Sequence, residues 1–247
     1  MLIEGVSFFA KMHALPARYE LSMLPYLLWV LVFMPAMGIH GYYRVRSRKP
    51  LPPKNRRLRG MILLQVVLAV VTFDVARNND MELFGSHWPA AWTWAVAGLY
   101  LALIAFRLQA AWRRFSIERK QRARLLLPEN LREMRYWVPI SLLAGLSEEC
   151  AYRGVSYQAM RDFTHSATVA VLVCVVAFAV AHSMQGWRGI VGTGLIALIM
   201  HGIVYFTQGL YLAIALHAAY DLAIGVIAMR SFMGDDASPA MQPQSAS

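Results

Sequence analysis

The sequence predicts an all-α fold: a polytopic membrane helix bundle of about seven to eight transmembrane helices with a cytoplasmic amphipathic helix. Three observations predict it. The 247 residues are 58% hydrophobic and only 15% charged, with a mean hydropathy of +0.43, whereas soluble chains carry about a quarter charged residues. Apolar runs recur at close to the length of about 20 residues that a bilayer core requires of a helix. The basic residues are concentrated in two segments between those runs, as the positive-inside rule expects of cytoplasmic loops.

The runs fall at 21–41, 60–76, 89–106, 137–156, 166–184, 189–206 and 209–229. The first twenty residues carry no cleavage-site pattern after a short apolar core, so no cleavable signal is expected. The segment 44–59 holds Arg44, Arg46, Arg48, Lys49, Lys54, Arg56, Arg57 and Arg59. The segment 107–135 is also basic, and between the two lies Asn78-Asn-Asp80-Met-Glu82, which has no lysine or arginine. This places both basic segments in the cytoplasm and 77–88 outside. With seven spans, the N-terminus is external and the C-terminus cytoplasmic.

In 107–135, Trp112, Phe115, Ile117, Leu125, Leu126, Leu127 and Leu131 interleave with basic residues. That pattern fits an interfacial helix held by apolar burial and anionic lipid, or a solvated linker whose charge only sets topology. The net charge of +10 does not point to nucleic acid, because no fold that reads bases accompanies it. The lipid bilayer is the expected partner. Trp88, Trp92 and Trp94 fit an interfacial belt. Gly189, Gly192 and Gly194 predict close helix packing. Cys150 and Cys174 sit in apolar runs and read as small buried hydrophobes. The tail from Gly234 is polar and small, and disorder is expected there. The chain is expected to divide into N-terminal helices and basic loops (1–135), a helix core (136–230) and a disordered tail (231–247).

Three motifs place ionisable groups inside apolar runs, where such groups mark functional sites by default. The first is Glu148-Glu149-x-x-x-Arg153. Glu149 and Arg153 share a helix face and can pair. Glu148 is turned about 100° away and lacks that partner; an unpaired carboxylate in an apolar site suits general-base work near neutrality. The second is Phe178-x-x-x-His182, with ring and imidazole on one face. The third is His217-x-x-x-Asp221, deep in its run. Convergence of Glu148, His182, His217 and Asp221 would form a polar cavity able to hold a water and attack a peptide bond.

In this order and on separate helices, the three motifs resemble the CAAX-protease and bacteriocin-processing (CPBP, or Abi) family of intramembrane proteases, related to the Ras-converting endoprotease. The resemblance covers roughly 136–229. It implies glutamate-dependent intramembrane proteolysis of a membrane-anchored or lipidated protein or peptide. It makes Glu148 the water-activating base, with His182 helping to hold the water and His217 and Asp221 lining the oxyanion site. Glu149 and Arg153 would shape the site and Phe178 would pack beneath it. The last position is often Asn in the family and is Asp221 here. An ionised carboxylate cannot donate to an oxyanion, so Asp221 must be protonated, orient His217 through its ring nitrogen, or ligate a metal. Glu148, His182, His217 and Asp221 have the donor types zinc takes, which leaves metal-free and zinc-dependent chemistry both open; no other cofactor is implied.

His201 reads as structural or peripheral. Asp74 with Asp221 would make a two-aspartate protease, but no Gly-x-Gly-Asp string is present. His-Glu-x-x-His and Gly-x-Ser-Gly are absent as well. The alternative function is a non-catalytic membrane immunity or partner-binding protein. A proton-coupled transporter would show inverted repeats, and none is seen. The expected location is multi-pass in a bacterial cytoplasmic membrane. One depth problem follows: Glu148 lies well inside its run and His182 near the cytoplasmic end of the next. A helix continuing past Gly154 toward Phe163 resolves it, whereas a Glu148–His182 separation beyond about 10 Å, roughly two helical turns, would count against a shared site.

Overall fold

The computed structural model describes residues 19–85, 88–112 and 114–236. All regular structure among them is helical. Helix α1 (Tyr19–Leu28) passes through a π-helical stretch (Trp29–Phe33) into α2 (Met34–Arg46). There follow α3 (Lys54–Asn78), α4 (Ala91–Trp112), α5 (Ile117–Leu126), α6 (Leu131–Glu149), a second π-helical stretch (Cys150–Ser156), α7 (Tyr157–Thr164), α8 (Ala167–Ala181), α9 (Trp187–Thr207) and α10 (Tyr211–Asp236).

Polar caps decide where the helices near the site begin. Asn130 Oδ1 accepts from the Glu133 amide at 3.1 Å to open α6, and Ser166 Oγ accepts from the Val169 amide at 3.3 Å to open α8, each satisfying a donor the helix leaves orphaned. Left-handed residues close two others, His165 after α7 and Gln208 after α9. The helix carrying the glutamates does continue: α6, its π-helical stretch and α7 run without a break from Leu131 to Thr164. Widened π turns recur at functional sites, and this one begins directly after Glu149.

The rod α6 is the centre of the bundle, packing mainly on α3 and α10. Helices α3 and α6 run parallel. Lys54 Nζ meets Glu129 at 2.7 Å and Glu133 at 2.8 Å near their starts, and Gln158 Nε2 donates to the Glu82 carbonyl at 3.0 Å at the far end. Helix α10 runs antiparallel to α6. A Cβ on Gly145 would lie 2.8 Å from the Ile214 carbonyl oxygen and 2.9 Å from the Ala218 Cβ, so only glycine lets the two backbones meet here. Helix α8 lies between α2 and α9, and a Cβ on Gly38 of α2 would strike the Ala181 carbonyl at its end. The main core joins Met23, Tyr26, Val30, Leu68, Tyr152 and Phe178.

Both basic segments lie at one end of the bundle, where Arg57 also donates to the Leu125 carbonyl at 2.8 Å. The stretch 78–85, which has no lysine or arginine, lies at the other, with Gly85 against the Gln208 backbone. Among the described residues, five helices are long and apolar enough to cross a membrane: Met23–Arg46, Lys54–Asn78, Ala91–Trp112, Trp187–Thr207 and Tyr211–Gly234. The protein is an integral, multi-pass membrane protein. The expected count of seven to eight is not reached on these grounds. The run at 166–184 yields a helix of 15 residues, and the run at 137–156 belongs to a rod that carries Arg132, Glu133, Arg135, Glu148, Glu149 and Arg153.

Three expectations need revision. The tail does not start at 231: α10 continues to Asp236, because Phe232 is fully buried beside Trp112 and Ala228. Residues 237–247 lie outside the described residues. Helix α5 is not held by lipid alone, since Ala123 and Leu127, with Phe115 before it, pack on that same cluster, leaving Ile117 and Leu131 exposed. Of the three glycines, Gly194 alone faces another helix, 3.5 Å from Ala179; Gly192 faces open space, and Gly189 lies against Gln185.

Candidate active site

The four candidate residues come together from separate helices: both histidines approach one oxygen of Glu148, and Asp221 approaches His217. Glu148 Oε2 lies 4.0 Å from His182 Nε2 and 3.8 Å from His217 Nε2. His217 Nε2 also lies 3.8 Å from Asp221 Oδ2. The 4.0 Å contact is far inside the separation that would have argued against a shared site. The long rod explains it: α8 runs back antiparallel to the rod's outer half, so its C-terminal residue His182 arrives at the level of Glu148 rather than at the rod's base.

The two glutamates are treated differently by their surroundings. Glu149 is fully buried. Its Oε1 accepts from Arg153 Nη1 at 3.1 Å and from His217 Nδ1 at 2.7 Å. Arg153 is itself buried, donates to the Ala197 carbonyl at 3.4 Å, and stands 4.5 Å from the Phe178 ring centroid. Among the described residues no arginine pairs with Glu148, and its Oε2, like that of Glu149, has no hydrogen-bond partner. Its Oε1 accepts from the amide Nε2 of Gln65, on α3, at 2.6 Å.

Each imidazole is oriented by a bond on its Nδ1. His182 Nδ1 lies 2.8 Å from the Phe178 carbonyl oxygen, an acceptor only, so it carries the proton. In a neutral ring that tautomer leaves His182 Nε2 as an acceptor facing Glu148. His217 Nδ1 donates to Glu149, so its orientation comes from the neighbouring rod. Of the three options for Asp221, orienting His217 through its ring nitrogen is therefore met by Glu149 instead. Asp221 is fastened through its backbone, whose carbonyl accepts the Trp137 indole N–H at 2.8 Å. Phe178 lies beneath both rings, with centroids 4.5 Å from His182 and 6.1 Å from His217, and Tyr152 packs edge-on beyond it at 5.0 Å.

Residues 130–223 match the family model Type II CAAX prenyl endopeptidase Rce1-like. No curated protein and no solved structure matches the chain. The resemblance read from the three motifs is thereby borne out. The Rce1-like segment starts at Asn130, the cap of α6, and contains Glu148, Glu149, Arg153, Phe178, His182, His217 and Asp221.

The remaining candidates lie off this site. Asp74 is exposed on α3 and accepts from Asn78 at 3.2 Å, so no second aspartate approaches Asp221. His201 is buried beside Tyr157, with ring centroids 5.5 Å apart. Cys150 and Cys174 are buried free thiols, as read. Among the described residues, no group of three or more His, Cys, Asp or Glu is arranged to hold a metal ion. The residue missed by sequence reasoning is Gln65, outside the Rce1-like segment. Its one signal was a lone amide inside Ile62-Leu-Leu-Gln65-Val-Val.

Proposed function

We propose that the protein is an intramembrane endopeptidase in which Glu148 activates a water against a peptide bond of a membrane-anchored or lipidated substrate. The observation that carries the reading is the pair of facing acceptors, Glu148 Oε2 and His182 Nε2, 4.0 Å apart. An oxygen at an ordinary hydrogen-bond distance of about 2.8 Å from each subtends an angle of roughly 90°. That is close to the H–O–H angle, so one water can give one hydrogen to each acceptor and aim a lone pair outward.

The reaction is balanced within these residues. The water oxygen attacks the carbonyl carbon while Glu148 Oε2 takes its proton. The carbonyl oxygen becomes an oxyanion beside His217. For His217 Nε2 to donate there while Nδ1 donates to Glu149, the ring carries both protons, with Glu149 as counter-ion. The Glu148 proton then passes to the amide nitrogen as the C–N bond breaks, releasing a new carboxyl terminus and an amine. Glu149 and Arg153 hold His217 in place. Asp221 borders the oxyanion position, where a protonated carboxyl can donate as an amide would. The core for this chemistry is 136–230.

The test is Glu148→Gln, which keeps shape and removes the base. With purified protein in lipid vesicles and a farnesylated peptide ending in a Cys-aliphatic-aliphatic-X sequence, cleavage falls by about 10²–10⁴-fold while insertion and melting are unchanged. Comparing new C-termini in the membrane proteome of cells carrying each form extends the test to native substrates. Undiminished cleavage by Glu148→Gln refutes the mechanism; a wild-type function that survives the substitution supports the non-catalytic alternative.

A further inference from the structure

Gln65 is buried on α3 in the N-terminal part of the chain, yet it touches the base of the candidate site. Its side chain is gripped from both ends by consecutive residues of α6. The Ser147 hydroxyl donates to Gln65 Oε1, and Gln65 Nε2 donates to Glu148 Oε1 at 2.6 Å. All three side chains are buried, Ser147 completely.

The amide orientation follows from chemistry. An ionised carboxylate only accepts, so Gln65 must turn its NH2 toward Glu148. Ser147 fits that choice, its hydroxyl donating to the amide oxygen. Both oxygens of Glu148 are thereby differentiated. Oε1 is engaged, and Oε2 is left free on the side of His182 and His217. Without the amide, the Glu148 carboxylate plane could swing about its terminal torsion, which is broad, and turn its free oxygen away from His182 and His217.

We infer that Gln65, held by Ser147, is a positioning residue that fixes the plane of the Glu148 carboxylate, so that its free oxygen points at the reacting water. This rests on the proposed role of Glu148 and assigns part of the site to a helix outside the Rce1-like segment. The parallel packing of α3 on α6 delivers it: Lys54 with Glu129 and Glu133 at one end, and Gln158 with Glu82 at the other, hold the register that brings Gln65 to Ser147 and Glu148.

The experiment compares wild type, Gln65→Met, Ser147→Ala and the double variant in lipid vesicles with the same farnesylated peptide. Methionine keeps the length and volume of glutamine without its hydrogen bonds. Gln65→Met is expected to lower kcat by about 30-fold or more with KM within about threefold, because orientation acts on the reacting geometry rather than on substrate binding. Ser147→Ala lowers kcat by a smaller factor. The double variant is no worse than Gln65→Met alone, because Ser147 acts only through the amide. Multiplicative losses, or a kcat for Gln65→Met within threefold of wild type, overturn the inference. If Gln65→Met does not fold, Ser147→Ala alone decides: a full kcat refutes the lock.

A second readout needs no substrate. Dicyclohexylcarbodiimide labelling of Glu148, located by peptide mass mapping, is expected to accelerate by about tenfold in Gln65→Met, since the carboxyl loses its fixed donor. Unchanged labelling overturns the inference even where wild type cleaves no peptide, whereas faster labelling without cleavage would leave the contact standing and refute only the protease reading.

Discussion

Replacing Arg153 with alanine isolates the contribution of the buried ion pair that separates the two glutamates. Arg153 and Glu149 have side chains 1% and 0% exposed, at 3.1 Å. Removing the guanidinium leaves Glu149 with His217 Nδ1 as its one remaining cationic partner, at 2.7 Å. Breaking a buried pair from one side costs about 3–5 kcal/mol, because the other charge is stranded. The guanidinium over Phe178 adds about 0.5–2 kcal/mol. For a domain of this size each kcal/mol moves the melting temperature by about 2–4 °C, so Arg153→Ala should melt roughly 7–28 °C lower in mild detergent. The double variant Glu149→Gln/Arg153→Ala removes the stranded charge as well and should recover part of that loss. A shift under about 3 °C, or a double variant no more stable than Arg153→Ala, would refute the assignment of Glu149 as a charge held structurally by Arg153.

Other expectations concern the site. His182→Ala removes the second acceptor for the water and should lower peptide cleavage by about 10²-fold with melting unchanged; retention of activity would make Glu148 act alone. Treatment with EDTA and 1,10-phenanthroline should leave cleavage in vesicles unaltered, and a loss reversed by added zinc would transfer the chemistry to a metal. Gly145→Val introduces a Cβ 2.8 Å from the Ile214 carbonyl oxygen. It should cost about 1–3 kcal/mol by overpacking and push His217 away from Glu149, lowering both melting temperature and cleavage. A full-rate variant would show that the approach of α10 to α6 is not what holds His217.

The pairing of Glu149, and not Glu148, with Arg153 was legible in the sequence, because it depends on spacing within one helix. Residues four apart share a face and adjacent residues do not, so the Glu149–Arg153 pair follows from local geometry, as does the placement of Phe178 under His182. The membrane class was legible for the same kind of reason: length, apolarity and the distribution of lysine and arginine are properties of segments. The number of spans was less so, since the central rod mixes charged and apolar residues and α8 is short.

What only the tertiary structure decided depends on which helices touch. His217 serves Glu149 through Nδ1 and faces Glu148 through Nε2 because α10 approaches α6 at Gly145, a contact between residues 68 apart for the bonded pair. Gln65 reaches Glu148 across 83 positions because α3 lies parallel to α6. A single glutamine in an apolar run carries no periodic signal that would mark its partner. The helical repeat relates a residue to those one turn away, and it says nothing about the register of one helix against another; that register is set by packing, and it gives Glu148 its fixed oxygen and its free one.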